Sequence, residues 1–178
     1  MNKAAVEAAK IKSVMEEPWV YLATGRDLEH LGKEDEIIYN QATWQMHKLA
    51  LYVQMFHLFR ANEMEGDYYE FGCHRARTFR MALTEARRHN LENMRFFPFD
   101  SFAGLPDLET PEETRHSLYT PAALCTTEEE FHLMIQEHSI YVDRCRTIKG
   151  FYKDSLTKDL QGELLTQGSR IGIVNIDC

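Results

Sequence analysis

Gly66-Asp67-Tyr68-Tyr69-Glu70-Phe71-Gly72-Cys73-His74-Arg75 is where the chain changes period. From about Glu36 to Glu63 the pattern is helical. Trp44, Leu51, Met55 and Leu58 share a face, and Leu49, Val53, Phe56 and Phe59 widen it into a broad apolar stripe. Gly66 and Asp67 end that pattern, and Tyr68 to Gly72 reads as a short aromatic strand. Residues 77–90 return to helical spacing, with Phe79, Leu83 and Ala86 on one side. Met94 to Phe99 reads as a second strand, and Ser101 to Leu124 as a loop holding three of the five prolines. Thr127-x-x-Glu130 is a capping box that opens a helix through His138, on which Phe131, Met134, Ile135 and His138 share a face. Arg146 to Gly150 is a weaker third strand, residues 155–165 suggest another helix, and Ile171 to Ile176 is the clearest strand, apolar enough for a fully buried parallel position. Strands separated by helices imply right-handed crossovers and an α/β fold with a parallel sheet.

Upstream, residues 3–16 are rich in Ala, Lys and Glu, which favours a helix ended by Pro18, and residues 26–36 form a charged connection. The 178 residues carry 20 Lys+Arg against 28 Asp+Glu, a net −8, with 44% apolar residues. Those are globular values, and the acidic balance argues against a nucleic-acid partner, which needs a basic face to release counterions. No apolar run approaches the ~20 residues of a membrane span, and the N-terminus lacks the apolar core of a signal peptide, so no membrane partner and a cytoplasmic location are expected. Cys73, Cys125, Cys145 and Cys178 form no C-x-x-C pair and read as buried thiols. His47 and His57 have no partners at metal spacing.

In open α/β sheets, ligands bind beyond the carboxyl ends of the strands. Those ends are Glu70-Phe71-Gly72-Cys73-His74-Arg75, then Asp100-Ser101-Phe102, then Lys149 to Ser155, then Asn175-Ile176-Asp177-Cys178. No two of the nine glycines are separated by a single residue, so a G-x-G-x-x-G fingerprint is excluded, and G-K-[ST], H-E-x-x-H and G-x-S-x-G are absent too. Asp100, 28 residues after Gly72, is spaced to end the second strand, where an acid accepts protons from both hydroxyls of a ribose. Phe102 is placed to lie against an adenine, with Gly150-Phe151-Tyr152 on the other side of the ring. Together these favour an adenosine ligand without phosphates.

Four segments, in order over residues 66–178, resemble the macrocin-type (TylF/MycF-like) sugar O-methyltransferases, class I enzymes that use S-adenosylmethionine. Gly66 to Arg75 resembles their first motif, Asp100-Ser101-Phe102-Ala103-Gly104-Leu105-Pro106 matches D-S-F-x-G-L-P at every fixed position, Lys149 to Leu156 is similar to K-G-x-F-x-D-[ST]-L, and Ile176-Asp177 resembles the start of [IL]-D-x-D-L-Y. The resemblance implies that Glu70, Gly72, Cys73 and His74 line the methionine side of the cofactor, and that Thr78 bonds its carboxylate. It implies that Asp100 holds the ribose, that Ser101 and Phe102 lie beside the adenine, and that Gly150, Phe151 and Ser155 complete that pocket. It makes Asp177 the catalytic and metal-binding residue, beside the sulfonium and a Mg²⁺ or other divalent cation, with a small acceptor such as a sugar.

Where the family often has two glycines after its basic residue, this chain has Ala76-Arg77. The resemblance also implies a Rossmann-like sheet of seven strands in the order 3-2-1-4-5-7-6. This sequence supplies strands 3-2-1-4 with N-terminal helices and then reaches Cys178, so it reads as the cofactor-binding half (66–178) of a longer protein, its strand four an uncovered apolar edge. Residues 1–65 read as a helical cap or a dimerisation segment, giving a homo-oligomer. Tyr39, Thr43, Trp44 and His47 are candidates to face a substrate, and the 101–124 loop, with His116 and Tyr119, is a candidate lid. A non-catalytic adenosine-binding or interaction module, or another nucleotide-binding α/β domain, stays open beside the enzyme.

Overall fold

The computed structural model describes residues 44–106, 122 and 124–178. The expected helix over 3–16, the 26–36 connection, Tyr39, Thr43, His116 and Tyr119 lie outside them. Helices α1 (Trp44–Ala61) and α2 (Arg77–Arg88) flank β1 (Asp67–Phe71), and β2 (Phe96–Asp100) follows. Then come α3 (Glu128–His138), a 3-10 turn (Val142–Arg144), β3 (Ile148–Lys149), α4 (Tyr152–Ser155), α5 (Lys158–Thr166) and β4 (Ile171–Ile176). The four strands form one parallel sheet in the order β3-β2-β1-β4.

Alternation along β1 and β2 sends side chains to two cores, as a pleated strand covered on both faces requires. Tyr68 and Phe96 join Tyr52, Phe56 and Phe59 of α1, Phe79 and Leu83 of α2, and Phe131 of α3. Tyr69, Phe97 and Phe99 join Ile148 and Leu164 on the opposite face. Each such buried aromatic contributes about 2 kcal/mol. The capping box forms as the sequence predicts: the Glu130 amide donates to Thr127 Oγ1 at 3.2 Å, and the Thr127 amide to Glu130 Oε2 at 2.7 Å.

Three expectations need correction. First, the buried stripe of α1 is Tyr52, Phe56 and Phe59, while Leu51, Val53 and Leu58 are exposed. The apolar count missed Tyr52, whose hydroxyl is satisfied inside the core by Tyr68 and Glu70. Second, β3 is shorter than Arg146–Gly150. Pro98 has no N–H to donate, and the carbonyls on either side of it, Phe96 and Asp100, accept from Arg146 and Gly150, so Pro98 sits on the β3 side of the ladder and interrupts it. Third, β4 is not fully buried. Among the described residues it pairs with β1 alone, and Ile171, Val174 and Ile176 are 62%, 45% and 69% exposed, which matches the uncovered edge.

A buried acid ties the amino ends of three strands together. Asp67 accepts from the Arg95 amide (3.0 Å) and guanidinium (2.7 Å) before β2, and from Ser169 Oγ (2.6 Å) before β4. Tyr69 Oη meets Ser169 Oγ at 2.6 Å. Removing Asp67 leaves the buried Ser169 hydroxyl without this acceptor, while Arg95, about a third exposed, keeps water and the Gln167 carbonyl. Asp67→Ala is therefore expected to lower stability by about 1.5 to 3 kcal/mol, read from urea unfolding; a loss below ~1 kcal/mol would show that the pair behaves like a surface ion pair.

Candidate cofactor site

The carboxyl ends of β1, β2 and β4 converge on the turn between β1 and α2. Gly72 makes that convergence possible: at φ +83° a Cβ would collide with the Asp177 carbonyl oxygen at the end of β4. The turn continues through His74 (φ +31°) and Ala76 (φ +56°) before α2 begins. Ala76 holds a left-handed conformation that suits a glycine, at a cost of roughly 1–2 kcal/mol.

Asp100 fastens this turn to β2. Its Oδ2 accepts from the amides of Cys73 (2.7 Å) and His74 (3.2 Å), and its Oδ1 from that of Phe102 (2.8 Å). A carboxylate has about four acceptor sites, and with three amides bound, capacity remains for one ribose hydroxyl. Ser101 Oγ closes its own turn onto the Gly104 carbonyl at 2.7 Å. The Phe102 ring is buried, edge-on to Phe131, so its packing serves the core and little of its face is open to an adenine. Gly150 joins the same edge, its amide donating to the Asp100 carbonyl at 2.9 Å. Phe151 is half-buried, and Ser155 Oγ donates to the Phe151 carbonyl at 3.1 Å.

Glu70 lies completely buried behind the turn, on the α1 face of β1. Its Oε1 accepts from Thr78 Oγ1 at 2.8 Å, and its Oε2 from the hydroxyls of Tyr68 and, at 3.3 Å, Tyr52. Burial raises its pKa to about 7, against the lowering effect of bonds from Tyr68, Thr78, Tyr52 and Asn175. Burial also pushes the Cys73 thiol up, which keeps it an inert neutral group. His74 donates from Nδ1 to the Leu124 carbonyl (2.7 Å), and burial lowers its pKa.

A cavity of about 240 Å³ opens on this turn, lined by Lys48, Gly72, His74, Arg77, Thr78 and Asp177 among others. Pockets for whole ligands run from about 300 Å³ upward, so this one matches the amino-acid end of a nucleoside cofactor. Cationic side chains and the amino end of α2 favour a carboxylate there. Thus the residues fit a cofactor of the expected kind. They do not form a cation site: Asp177 is half-exposed, pairs with Lys48 Nζ at 2.6 Å, and no group of three His, Cys, Asp or Glu is clustered among the described residues. A larger cavity of about 620 Å³ lies on the other sheet face, between Tyr69, Phe99, Leu160, Leu164 and Ile171, and contains none of the acids discussed here.

The structure thus brings Glu70, Gly72, Cys73, His74, Thr78, Asp100 and Asp177 to one turn, with Gly150 joined through the Asp100 backbone. Sequence reasoning passed over Tyr52, Tyr68 and Lys48. The signal for Tyr52 was its spacing from Phe56 and Phe59, and for Tyr68 its place two residues before Glu70 on the same strand face.

Because the folded Glu70 titrates near 7 and an exposed one near 4.5, the folded state binds more protons between those values, and stability falls as pH rises through them. Between pH 5 and pH 8 the wild type should lose up to roughly 3 kcal/mol relative to Glu70→Gln. Urea unfolding of both proteins at the two pH values checks this, and parallel pH dependences would exclude it.

A family model described as Macrocin-O-methyltransferase (TylF) matches residues 43–167. Among solved structures, the O-methyltransferase NovP superposes with a TM-score of 0.56 at 23% identity, covering 62% of this chain and 48% of its own. CalS11, a calicheamicin methyltransferase, superposes with a TM-score of 0.61 at 12% identity, covering 99% of this chain and 68% of its own. At these identities the likeness is one of fold, a class I methyltransferase sheet. The chain spans about half the length of NovP. No curated protein matches it.

Proposed function

The chain belongs to the macrocin O-methyltransferase (TylF) family, and on that premise we propose that its residues 66–178 bind S-adenosylmethionine for methyl transfer to a hydroxyl of a small polar acceptor, a sugar being the class the family favours. The observation that supports this reading is the Asp100 carboxylate, held by the Cys73 and His74 amides beside the Gly72 turn with acceptor capacity to spare. The cofactor supplies a methyl group on a sulfonium, ready for in-line displacement.

The protein's part is alignment. Asp100 receives a ribose hydroxyl at its remaining acceptor site and fixes the nucleoside against β2. Arg77, Thr78 and the amino end of α2 receive the amino-acid end in the cavity over the turn. Burial of Glu70 behind Thr78 sets a negative or neutral charge close to that end, according to pH. Asp177 lies at the mouth, where a carboxylate can accept a hydrogen bond from an acceptor hydroxyl once Lys48 yields it. No step is routed through a divalent cation, because one carboxylate already paired with Lys48 is too small a donor set for a hard cation that takes six oxygens. Among the described residues no helix is long and apolar enough to cross a membrane, and we place the protein in the cytoplasm on the strength of its sequence alone.

Calorimetric titration with S-adenosylhomocysteine tests the reading. Wild type is expected to bind, and Asp100→Asn, which keeps an oxygen for the turn amides but loses the charge, should bind at least about ten-fold more weakly, since bonds to charged groups are worth about 1.5–3 kcal/mol. Wild-type protein that is folded by circular dichroism yet binds no S-adenosylhomocysteine would sink the proposal. Binding without methyl transfer to any hydroxyl acceptor would favour the non-catalytic module instead.

A further inference from the structure

A chain of hydroxyl groups runs from α1 into the cofactor site. Tyr52 Oη, on α1, lies 2.8 Å from Tyr68 Oη and 3.3 Å from Glu70 Oε2. Tyr68 also donates to Glu70 Oε2, and Thr78 Oγ1 donates to Glu70 Oε1 at 2.8 Å. Thr78 is the last member of the chain and lines the cavity on the β1–α2 turn. Each hydroxyl has one proton, so the arrangement has few degrees of freedom. With Glu70 ionised, Thr78 must point its proton inward, and its oxygen lone pairs are left for the cavity. With Glu70 protonated, the Thr78 proton is released for a ligand carboxylate.

We propose that Tyr52 is a positioning residue of the cofactor site: its hydroxyl holds Glu70, and through Glu70 the cavity-lining hydroxyl of Thr78, so that α1 is part of the cofactor pocket and not only a cap on it. The inference rests on the reading of the cavity as a cofactor pocket. Its geometry is independent of that reading, since the chain is complete within the protein. The groups that face Glu70 are Tyr52 from α1, Tyr68 from β1 itself, Thr78 from α2 and Asn175 from β4, with the Cys73 thiol within electrostatic reach. None of these carries a charge near neutral pH; the charged residues of the cavity are Lys48 on α1, Arg75 and Arg77 around the start of α2, and Asp177 after β4. With Tyr68 giving its one proton to Glu70, the single Tyr52 proton is shared between Tyr68 Oη and Glu70 Oε2, so losing it weakens the support of the carboxylate both directly and through Tyr68.

The test uses Tyr52→Phe, which keeps the ring stacked on Phe56 and removes the hydroxyl alone. Two readouts are taken from pH 5.5 to 8.5. One is the ¹³C chemical shift of the Glu70 carboxyl in ligand-free protein, assigned with Glu70→Gln. The other is the affinity for S-adenosylhomocysteine. In the variant the carboxyl midpoint is expected to move up by about one pH unit, the equivalent of one charge-assisted hydrogen bond. Wild-type affinity is expected to fall as Glu70 ionises and turns the Thr78 proton away from the ligand carboxylate, with a midpoint that moves up in step in the variant and a pH dependence that vanishes in Glu70→Gln. An unmoved carboxyl midpoint overturns the proposal, as does a moved midpoint with unchanged affinity at every pH. If wild type binds no ligand at all, the cofactor reading fails and the proposed role in the pocket fails with it, while the carboxyl titration still decides whether Tyr52 governs Glu70.

Discussion

A carboxyl group sealed in the middle of a parallel sheet is the constraint around which this structure is arranged. Glu70 has no solvent exposure, and leaving it unsatisfied would cost several kcal/mol. Four elements therefore each bring a polar group to it: Tyr52 from α1, Tyr68 from β1, Thr78 from α2 and Asn175 from β4. The aromatic core around them, with Phe56 and Phe79 against Tyr68, excludes the water that would otherwise do this work. The low dielectric that makes the unpaired group costly also strengthens each bond it accepts, so such a network specifies one arrangement of the four elements.

Two other acids divide the remaining architecture between them. Asp67 stands at the amino edge of the sheet, where Arg95 and Ser169 bind it into a purely structural lock. Asp100 stands at the carboxyl edge and spends part of its capacity on the amides of the β1–α2 turn. The difference lies in what is left over. Asp67 is buried and surrounded by donors from the protein, whereas Asp100 is only partly buried and opens toward the edge at which parallel sheets bind ligands. The same residue type, in the same sheet, is fully committed to structure at one end and keeps acceptor capacity at the other.

The order of strands and the gathering of the strand-end acids at one edge were legible because both depend on local signals. The switch from helical to alternating period at Gly66 marks β1, and the acids at strand ends mark the edge. The details that were not legible depend on tertiary partners. Tyr52 is read as polar until a second tyrosine and an acid satisfy it, so the wrong stripe of α1 is assigned to the core. Phe102 looks like an adenine platform until Phe131 arrives from a helix about thirty residues further on and encloses it. Pro98 is visible in the sequence, but its effect on β3 requires knowing which side of β2 each residue addresses.

Asp177 shows how far a motif can be carried without its surroundings. By resemblance it is the metal ligand and catalytic acid; by geometry it is half of an exposed pair with Lys48. Such pairs are worth about 1 kcal/mol or less, so Lys48 is easily displaced by a stronger competitor, and the pair is no obstacle to a role for Asp177. It does mean that Asp177 alone confers no selectivity for a cation, since selectivity comes from the number and rigidity of oxygen ligands. The cofactor pocket differs in that respect: Asp100, the Gly72 turn and the Glu70 network are already joined to one another. On the proposed reading, these joined groups form a pocket for a nucleoside with an amino-acid tail.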